Sequence, residues 1–342
     1  MGALRRRLIA TGDLKDVSEK KEFDENVKQA VRRFQRRHGL SVDGLIGSET
    51  LSVLNVPVEV RIKQILLNME RRRWLPSELG ANYVYVNIPD FMLTAYFEGE
   101  QRMKMRVIVG KPMSQTPIFS DTIEYVVFNP YWNVPRSIAT EEILPKFLKD
   151  PMYLRSKNYE VVDRDEQILE SHLFTVENLE NDKVRIRQRP GPSNALGLVK
   201  FMFPNDHAIY LHDTPAEFLF DESERDFSHG CIRIEDPEAF AELLLGETFT
   251  TEKISEIFET QERQVVDMPY PVPVYIVYFT TWVDNDGFVN FRDDIYGHDE
   301  RRWTALKPVL EDTVGRDQNT RSSMQGTENL AFDYQSYVAA KE

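Results

Sequence analysis

The period of apolar and polar positions changes near residue 82, and that change divides the chain. Before it, hydrophobic side chains recur at helical spacing. Phe23, Val27, Val31 and Phe34 share one face, with Lys28, Arg32, Arg33, Arg36 and Arg37 on the others. Gly39 ends that helix and Asp43-Gly44 marks a tight turn. Ser48 is placed to cap a short helix carrying Leu51 and Leu54, with Pro57 after it. A further helix over 58–72 sets Ile62, Ile65, Leu66 and Met69 on one face and reads as a rigid connector. His38, closing a basic helix, reads as a C-terminal cap favourable to the helix dipole.

From Asn82 the period is two. Runs at 83–88, 91–97, 103–109 and 123–128 are short, β-rich and separated by Gly, Pro and Asp, which predicts a mainly antiparallel β domain. A polar, helix-leaning stretch over 137–189 interrupts it, as a lid or as a packed excursion. Strand signals return at 199–203 and 208–211. Asp236 then caps an amphipathic helix through Leu245, with Pro237 in its first turn. An apolar run at 271–278 precedes a hairpin pattern over 279–291 whose turn is Asp284-Asn285-Asp286-Gly287. Past Thr304 the periodicity fades, and 315–342 is polar and expected to be mobile or weakly docked. The expected division is a helical domain at 1–56, a helical linker at 57–80, a β-rich domain at 81–304 with its insertion, and a tail at 305–342.

Composition removes candidates. With 342 residues the chain is long enough for one sizeable core and a smaller domain, and its net charge of −14 argues against nonspecific attraction to nucleic acid or anionic lipid. No run approaches the ~18 apolar residues of a membrane helix. Met1-Gly2-Ala3-Leu4-Arg5-Arg6-Arg7 has basic residues without an apolar stretch after them, so it does not read as a signal peptide. The chain is expected to be cytoplasmic or a trimmed form of an exported protein; helical pattern from Leu4 favours the second. Its one cysteine cannot form an internal disulfide, and a lone Cys is ordinarily a small buried hydrophobe.

The neighbours of that cysteine change the picture. His212-Asp213-Thr214-Pro215 leads through an acidic loop to Ser228-His229-Gly230-Cys231-Ile232-Arg233. Two strands joined by this loop would bring His212 beside Cys231. An ordinary thiol, with a pKa of ~8.5, is mostly protonated at neutral pH. An adjacent imidazole can take its proton and later deliver one to a leaving amine. Gly230 lets backbone approach a substrate, and successive amides there are candidate oxyanion donors.

The segment resembles the catalytic signature of the L,D-transpeptidases: a His, a spacer of about fifteen residues, then Ser/Thr-His-Gly-Cys. The likeness is to the large periplasmic members, with Arg233 two places after the Cys. The stretch 30–40, with Asp43-Gly44 and Gly47, resembles a peptidoglycan-binding signature, and Trp132-Asn133-Val134-Pro135, Asn194-Ala195-Leu196-Gly197 and Phe203-Pro204-Asn205 also look familial. The resemblance implies an α+β fold: a mainly β catalytic sandwich with an inserted capping subdomain, plus a small all-α binding domain whose first helix is read as cut short. It implies that Cys231 attacks the third-residue carbonyl of a peptidoglycan tetrapeptide stem and expels D-alanine. The thioester then passes to an amine of a second stem, making a 3→3 crosslink. His212 is then general base and acid, oriented by the Asp213 carbonyl. His229 and Ser228 shape the pocket, Gly230 and Cys231 supply oxyanion amides, and Arg233, Tyr210 and Trp132 line the substrate. No cofactor or metal is implied. Peptidoglycan stems are the partners, carbapenem and penem β-lactams the covalent inhibitors, and the periplasm or cell envelope the place.

Three other readings stand beside it. His212, His229 and Cys231 are zinc-type ligands, as in a wall hydrolase, though no HExxH occurs. A wall-binding module with an inert Cys pocket is the second. The third keeps the thioester and uses water or a free D-amino acid as acceptor. His172, His207 and His298 read as surface or packing residues, and the large aromatics Trp74, Trp132 and Tyr210 are also ordinary core residues.

Overall fold

In the computed structural model, which describes residues 1–15, 22–246 and 248–308, four helices precede the first strand. They are α1 (Gly2–Ala10), α2 (Glu25–Arg37), α3 (Ser48–Leu54) and α4 (Val58–Arg72). Asp24 starts α2 by accepting from the Val27 N–H at 3.0 Å. Val27, Val31 and Phe34 then bury completely against Leu8 and Leu54, while Phe23, outside the helix, is exposed. Gly47, not Ser48, is the N-cap of α3, and no side chain caps it. His38 does cap α2, but as a neutral group. Its Nδ1 bonds the Phe34 carbonyl at 2.7 Å and its ring stacks on Phe34, while burial lowers its pKa from 6.5 to about 3.

The connector helix buries a different face from the expected one. Leu66 and Met69 are 38% and 64% exposed, whereas Gln64, Leu67, Asn68 and Arg71 are buried. The reason is a backbone segment that needs partners. Asn68 accepts from the Thr280 N–H at 3.0 Å, and Gln64 donates to the carbonyls of Thr280 and Arg292 at 2.9 and 2.8 Å. Satisfying buried peptide groups outweighs covering a few apolar side chains.

Fourteen strands follow: β1 (Tyr83–Asn87), β2 (Met92–Phe97), β3 (Glu100–Ile108), β4 (Phe119–Phe128), β5 (Trp132–Asn133), β6 (Tyr159–Val162), β7 (Ile168–Leu169), β8 (Arg185–Gln188), β9 (Val199–Met202), β10 (Leu211–His212), β11 (Ile232–Ile234), β12 (Gln264–Val277), β13 (Thr281–Val283) and β14 (Val289–Phe291). The β-rich layer expected as a sandwich closes on itself in the order β1-β12-β4-β9-β10-β11-β3-β2. Most pairings are antiparallel, as the short alternating runs imply; β1–β12 and β10–β11 are parallel. Inward residues such as Val86, Leu93, Val107, Val126, Phe201, Leu211, Ile232 and Ile276 form the core. The helix Pro237–Leu245, capped by Asp236 as expected, packs Phe240 against Phe201 with ring centroids 4.8 Å apart.

The insertion is more than helical. β5, β8, β6 and β7 form a separate four-stranded sheet over its own core, which includes Val134, Leu154, Phe174 and Ile186. Its strands read as polar because their outer positions carry ion pairs, Arg187 with Glu160 and Arg185 with Glu166. A helix at Thr251–Thr260 was not anticipated. The hairpin turn formed as expected: Asp284 accepts from the Asp286 and Phe288 N–H groups. After Tyr296 the chain enters a second unit, helical over 298–308; the expectation for 315–342 lies outside the described residues.

At the end of β1, the Asn87 side chain acts as one more backbone unit. Its Nδ2 donates to the Phe279 carbonyl at 3.0 Å and its Oδ1 accepts from the Phe279 N–H at 2.8 Å, all of it buried. Asn87→Ala strands both groups and is predicted to cost about 1–3 kcal/mol of stability. Urea unfolding of the two proteins checks this; equal midpoints would refute it.

Candidate active site

The short parallel pair β10–β11 sets the site. Leu211 pairs with Ile232, and both side chains are fully buried in the core. Alternation along each strand then turns Tyr210, His212, Cys231 and Arg233 to the opposite face. His212 lies opposite Arg233 on one side and Lys200 of β9 on the other. Five residues with polar heads thus share one small patch, on which Cys231 is half-buried and His212 nearly sealed. β10 is shorter than the expected strand at 208–211. Ala208 takes a left-handed φ of 54°, held by Asn205, whose Oδ1 accepts from the His207 and Ile209 N–H groups. The Ala208 carbonyl accepts from the thiol at 3.6 Å.

The imidazole is fixed from behind. Its Nδ1 bonds the Asp213 carbonyl at 2.5 Å, which leaves Nε2 as the basic nitrogen. The Asp213 carboxylate accepts from Leu198 and Thr214 N–H groups at 2.7 and 2.6 Å. Gly197 makes this possible: a Cβ there would lie 2.1 Å from that carboxylate, and its φ is +62°.

The motif loop is held through its backbone. Ser228 is buried; its hydroxyl donates to the Cys231 carbonyl at 2.6 Å and accepts from the Gly230 N–H at 3.0 Å. The Gly230 amide, expected as an oxyanion donor, is therefore already engaged. Gly230 is required by its φ of +118°, and its carbonyl accepts from Thr116 at 2.7 Å. The Cys231 N–H makes no hydrogen bond among the described residues. His229 faces away from this patch's hydrogen bonds, toward Glu142 of the insertion at 2.7 Å and Lys111 at 3.4 Å. Trp132 is not brought to the patch by any contact: β5 pairs with β8, and its ring packs against Tyr159 beside the insertion's core.

Burial keeps both the imidazole and the thiol neutral. Desolvation lowers the His212 pKa from 6.5 to about 3, and Arg233 and then Lys200 push in the same direction. Desolvation raises the Cys231 thiol above its ordinary range, against opposing hydrogen bonds from Tyr210 and the fields of Lys200 and Arg233. The arrangement suits a base that takes the proton as the sulfur attacks, not a standing ion pair. Among the described residues no three His, Cys, Asp or Glu side chains group as a metal site.

Sequence reasoning missed Lys200, Thr116 and Glu142. Lys200 alone carried a signal, as the polar position between buried Val199 and Phe201 in a β-rich run. A cleft of about 670 Å³ lies elsewhere. It separates the helical domain from the barrel wall, with Arg36, Ser41, Lys104 and Glu222 among its lining.

Comparison with known proteins gives the family. Residues 81–276 match the L,D-transpeptidase catalytic domain, and residues 1–54 match a family described as "Putative peptidoglycan binding domain". The chain belongs to the L,D-transpeptidase family. A Haemophilus influenzae protein named "Putative L,D-transpeptidase" is 34% identical over 257 residues, 73% of this chain and 52% of that protein. The chain thus spans about half the length of that relative. Among solved structures, an L,D-transpeptidase from Stackebrandtia nassauensis is 12% identical, covering 81% of this chain and 89% of its own, with a TM-score of 0.30. L,D-transpeptidase 3 from Mycobacterium tuberculosis is 13% identical, covering 58% and 61%, with a TM-score of 0.28. Likenesses at this level leave the assignment to the family match.

A thiol that burial holds neutral, on the same face as a neutral imidazole, predicts a particular reactivity. Alkylation of Cys231, the chain's one cysteine, by iodoacetamide is expected to be slow at pH 7 and to climb roughly tenfold per pH unit until the thiol titrates, above its ordinary range. A fast plateau already reached below pH 7 would mean a preformed thiolate and overturn this.

Proposed function

We propose that the chain is a peptidoglycan L,D-transpeptidase with Cys231 as nucleophile and His212 as the proton carrier. His212 Nε2 accepts the thiol proton as sulfur bonds to the third-residue carbonyl of a tetrapeptide stem. The oxyanion is met by the free Cys231 N–H. The tetrahedral adduct collapses to a thioester as the C–N bond to D-alanine breaks, and the imidazolium returns the proton to the leaving amine. An amine of a second stem then attacks the thioester, forming the 3→3 crosslink and restoring the thiol. The observation that supports this most directly is the shared face: the imidazole stands on β10 and Cys231 immediately precedes its parallel neighbour β11, with Nδ1 of the ring tied to the Asp213 carbonyl.

Substrate chemistry places such an enzyme in the cell envelope, and the N-terminal domain is then a wall-binding element. Among the described residues no helix is long and apolar enough to cross a membrane. β-Lactams of the carbapenem and penem class present an acyl carbonyl to the same thiol.

The decisive experiment is mass spectrometry after exposure to a carbapenem. One covalent adduct is expected on the wild type and none on Cys231→Ser; an adduct on both, or on neither, would remove the nucleophile assignment. His212→Ala is expected to slow thioester formation by roughly 10²–10⁴-fold, the usual range for general acid–base assistance. Stopped-flow acylation reads this directly, and near-normal kinetics would dismiss the role.

A further inference from the structure

The cleft of about 670 Å³ between the helical domain and the barrel is built from both, within one compact unit. Its volume is that of a ligand pocket, and domain interfaces are where such pockets form. One arginine fixes its floor. Arg292 pairs with Asp90 at 2.6 Å and donates to the Arg37 carbonyl, at the end of α2, at 3.0 Å. It also fills the space over Gly39, where a Cβ would lie 2.6 Å from its Cδ. Segment 220–225, part of the excursion between His212 and Ser228, makes one side. Arg225 holds that segment by donating to the Val107, Glu222 and Phe91 carbonyls at 3.2, 2.7 and 3.1 Å. The arginines of the floor are thus engaged in the framework of the cleft itself.

The rim differs. Arg36 of α2 and Glu49 of α3 line it from the helical domain, Lys104 of β3 and Glu222 from the barrel. All four are exposed, and none makes a side-chain hydrogen bond or ion pair among the described residues. Scattered over a surface, such charges are ordinary. Here each domain brings one cation and one carboxylate to the same concavity.

We propose that this cleft is a stem-binding site separate from the reactive face and shared by the helical domain and the barrel. It holds one peptide stem of the polymer through its amine and its carboxylate while a neighbouring stem reaches Cys231. This rests on the reading of the chain as acting on peptidoglycan. A stem carries both charges. The carboxylate of its terminal D-alanine answers Arg36 and Lys104, and the amine that can serve as acceptor answers Glu49 and Glu222. A glycan backbone stripped of stems would leave both signs unmatched. The site stands apart from the sulfur. Arg106, which also lines the cleft, accepts through its carbonyl from the Glu235 N–H at 3.2 Å, and Glu235 lies four residues on from Cys231. At ~3.3 Å per residue that is about 13 Å along the strand. A stem gripped there keeps its neighbours on the polymer concentrated near the thiol, as a tether does.

Cosedimentation with purified sacculi tests this, in a chain carrying Cys231→Ala so that no thioester retains the protein. Arg36→Glu and Lys104→Glu are each expected to weaken binding by roughly three- to tenfold, for an exposed ion pair lost and a repulsion gained. Lys149→Glu, the same charge change on an exposed residue of the insertion, should leave it unaltered. Acetylating the amines of the sacculi should weaken binding as well, and Glu222→Gln should weaken binding to native sacculi but not to acetylated ones. Loss with Arg36→Glu alone would confine binding to the helical domain and overturn the shared cleft. An equal loss with Lys149→Glu would reduce the effect to net charge and overturn it too. Acetylation without effect would remove the stem as occupant. With Cys231 restored, the rim variants should react with a carbapenem at the wild-type rate; a parallel loss there would trace the defect to the reactive face and sink the separate site. If the protein does not pellet with sacculi at all, the cleft site fails, while the carbapenem adduct still decides whether Cys231 is the nucleophile.

Discussion

The chemistry of this chain depends on a hydrogen-bonded ladder only two residues deep, Leu211 with Ile232 and His212 with Arg233. Parallel neighbours cannot be joined by a tight turn, so residues between the two strands must leave the barrel and return. That excursion is where the Ser228-His229-Gly230 loop and the acidic segment lie. Because so short a ladder cannot hold its own register, the surroundings do so. The Asp213 N–H bonds to Val199, the Ser228 N–H bonds to Val109, and Thr116 bridges the Gly110 N–H and the Gly230 carbonyl. A shift of one residue would turn the sulfur into the core and Ile232 toward solvent.

Around that ladder the protein arranges low polarity on one side and unmatched positive charge on the other. Burial alone would leave the sulfur inert. The cations and the Tyr210 hydrogen bonds work against that, and the imidazole stays unprotonated beneath them. The insertion reaches this region through Glu142, whose carboxylate meets His229, so a subdomain with its own sheet and core touches the motif loop by a side chain.

Much of this was legible in the chain because patterns with strong local causes survive folding. The period-two runs became β1 to β4, the Asp236-Pro237 start became a helix, and Ser228-His229-Gly230-Cys231 led to one loop. What was not legible came from partners distant in sequence. Leu66 and Met69 read as a buried stripe because nothing local says that Thr280 needs Asn68. Ala208 read as strand because Asn205 folds the chain beneath it. Trp132 read as substrate-lining because its pairing with Gln188 lies fifty-six residues away. Lys200 stood in an anticipated strand, but only the register with His212 gives it meaning.

The resting state of Cys231 has a bearing on survival as well as on turnover. Peroxide and disulfide reagents react with thiolates, and sulfenic and sulfinic acids form fastest where the sulfur is already ionised and accessible. A half-buried sulfur that desolvation holds protonated offers them little. As the one cysteine of this chain it has no partner within it for a rescuing disulfide, so its protection from oxidation rests on that desolvation.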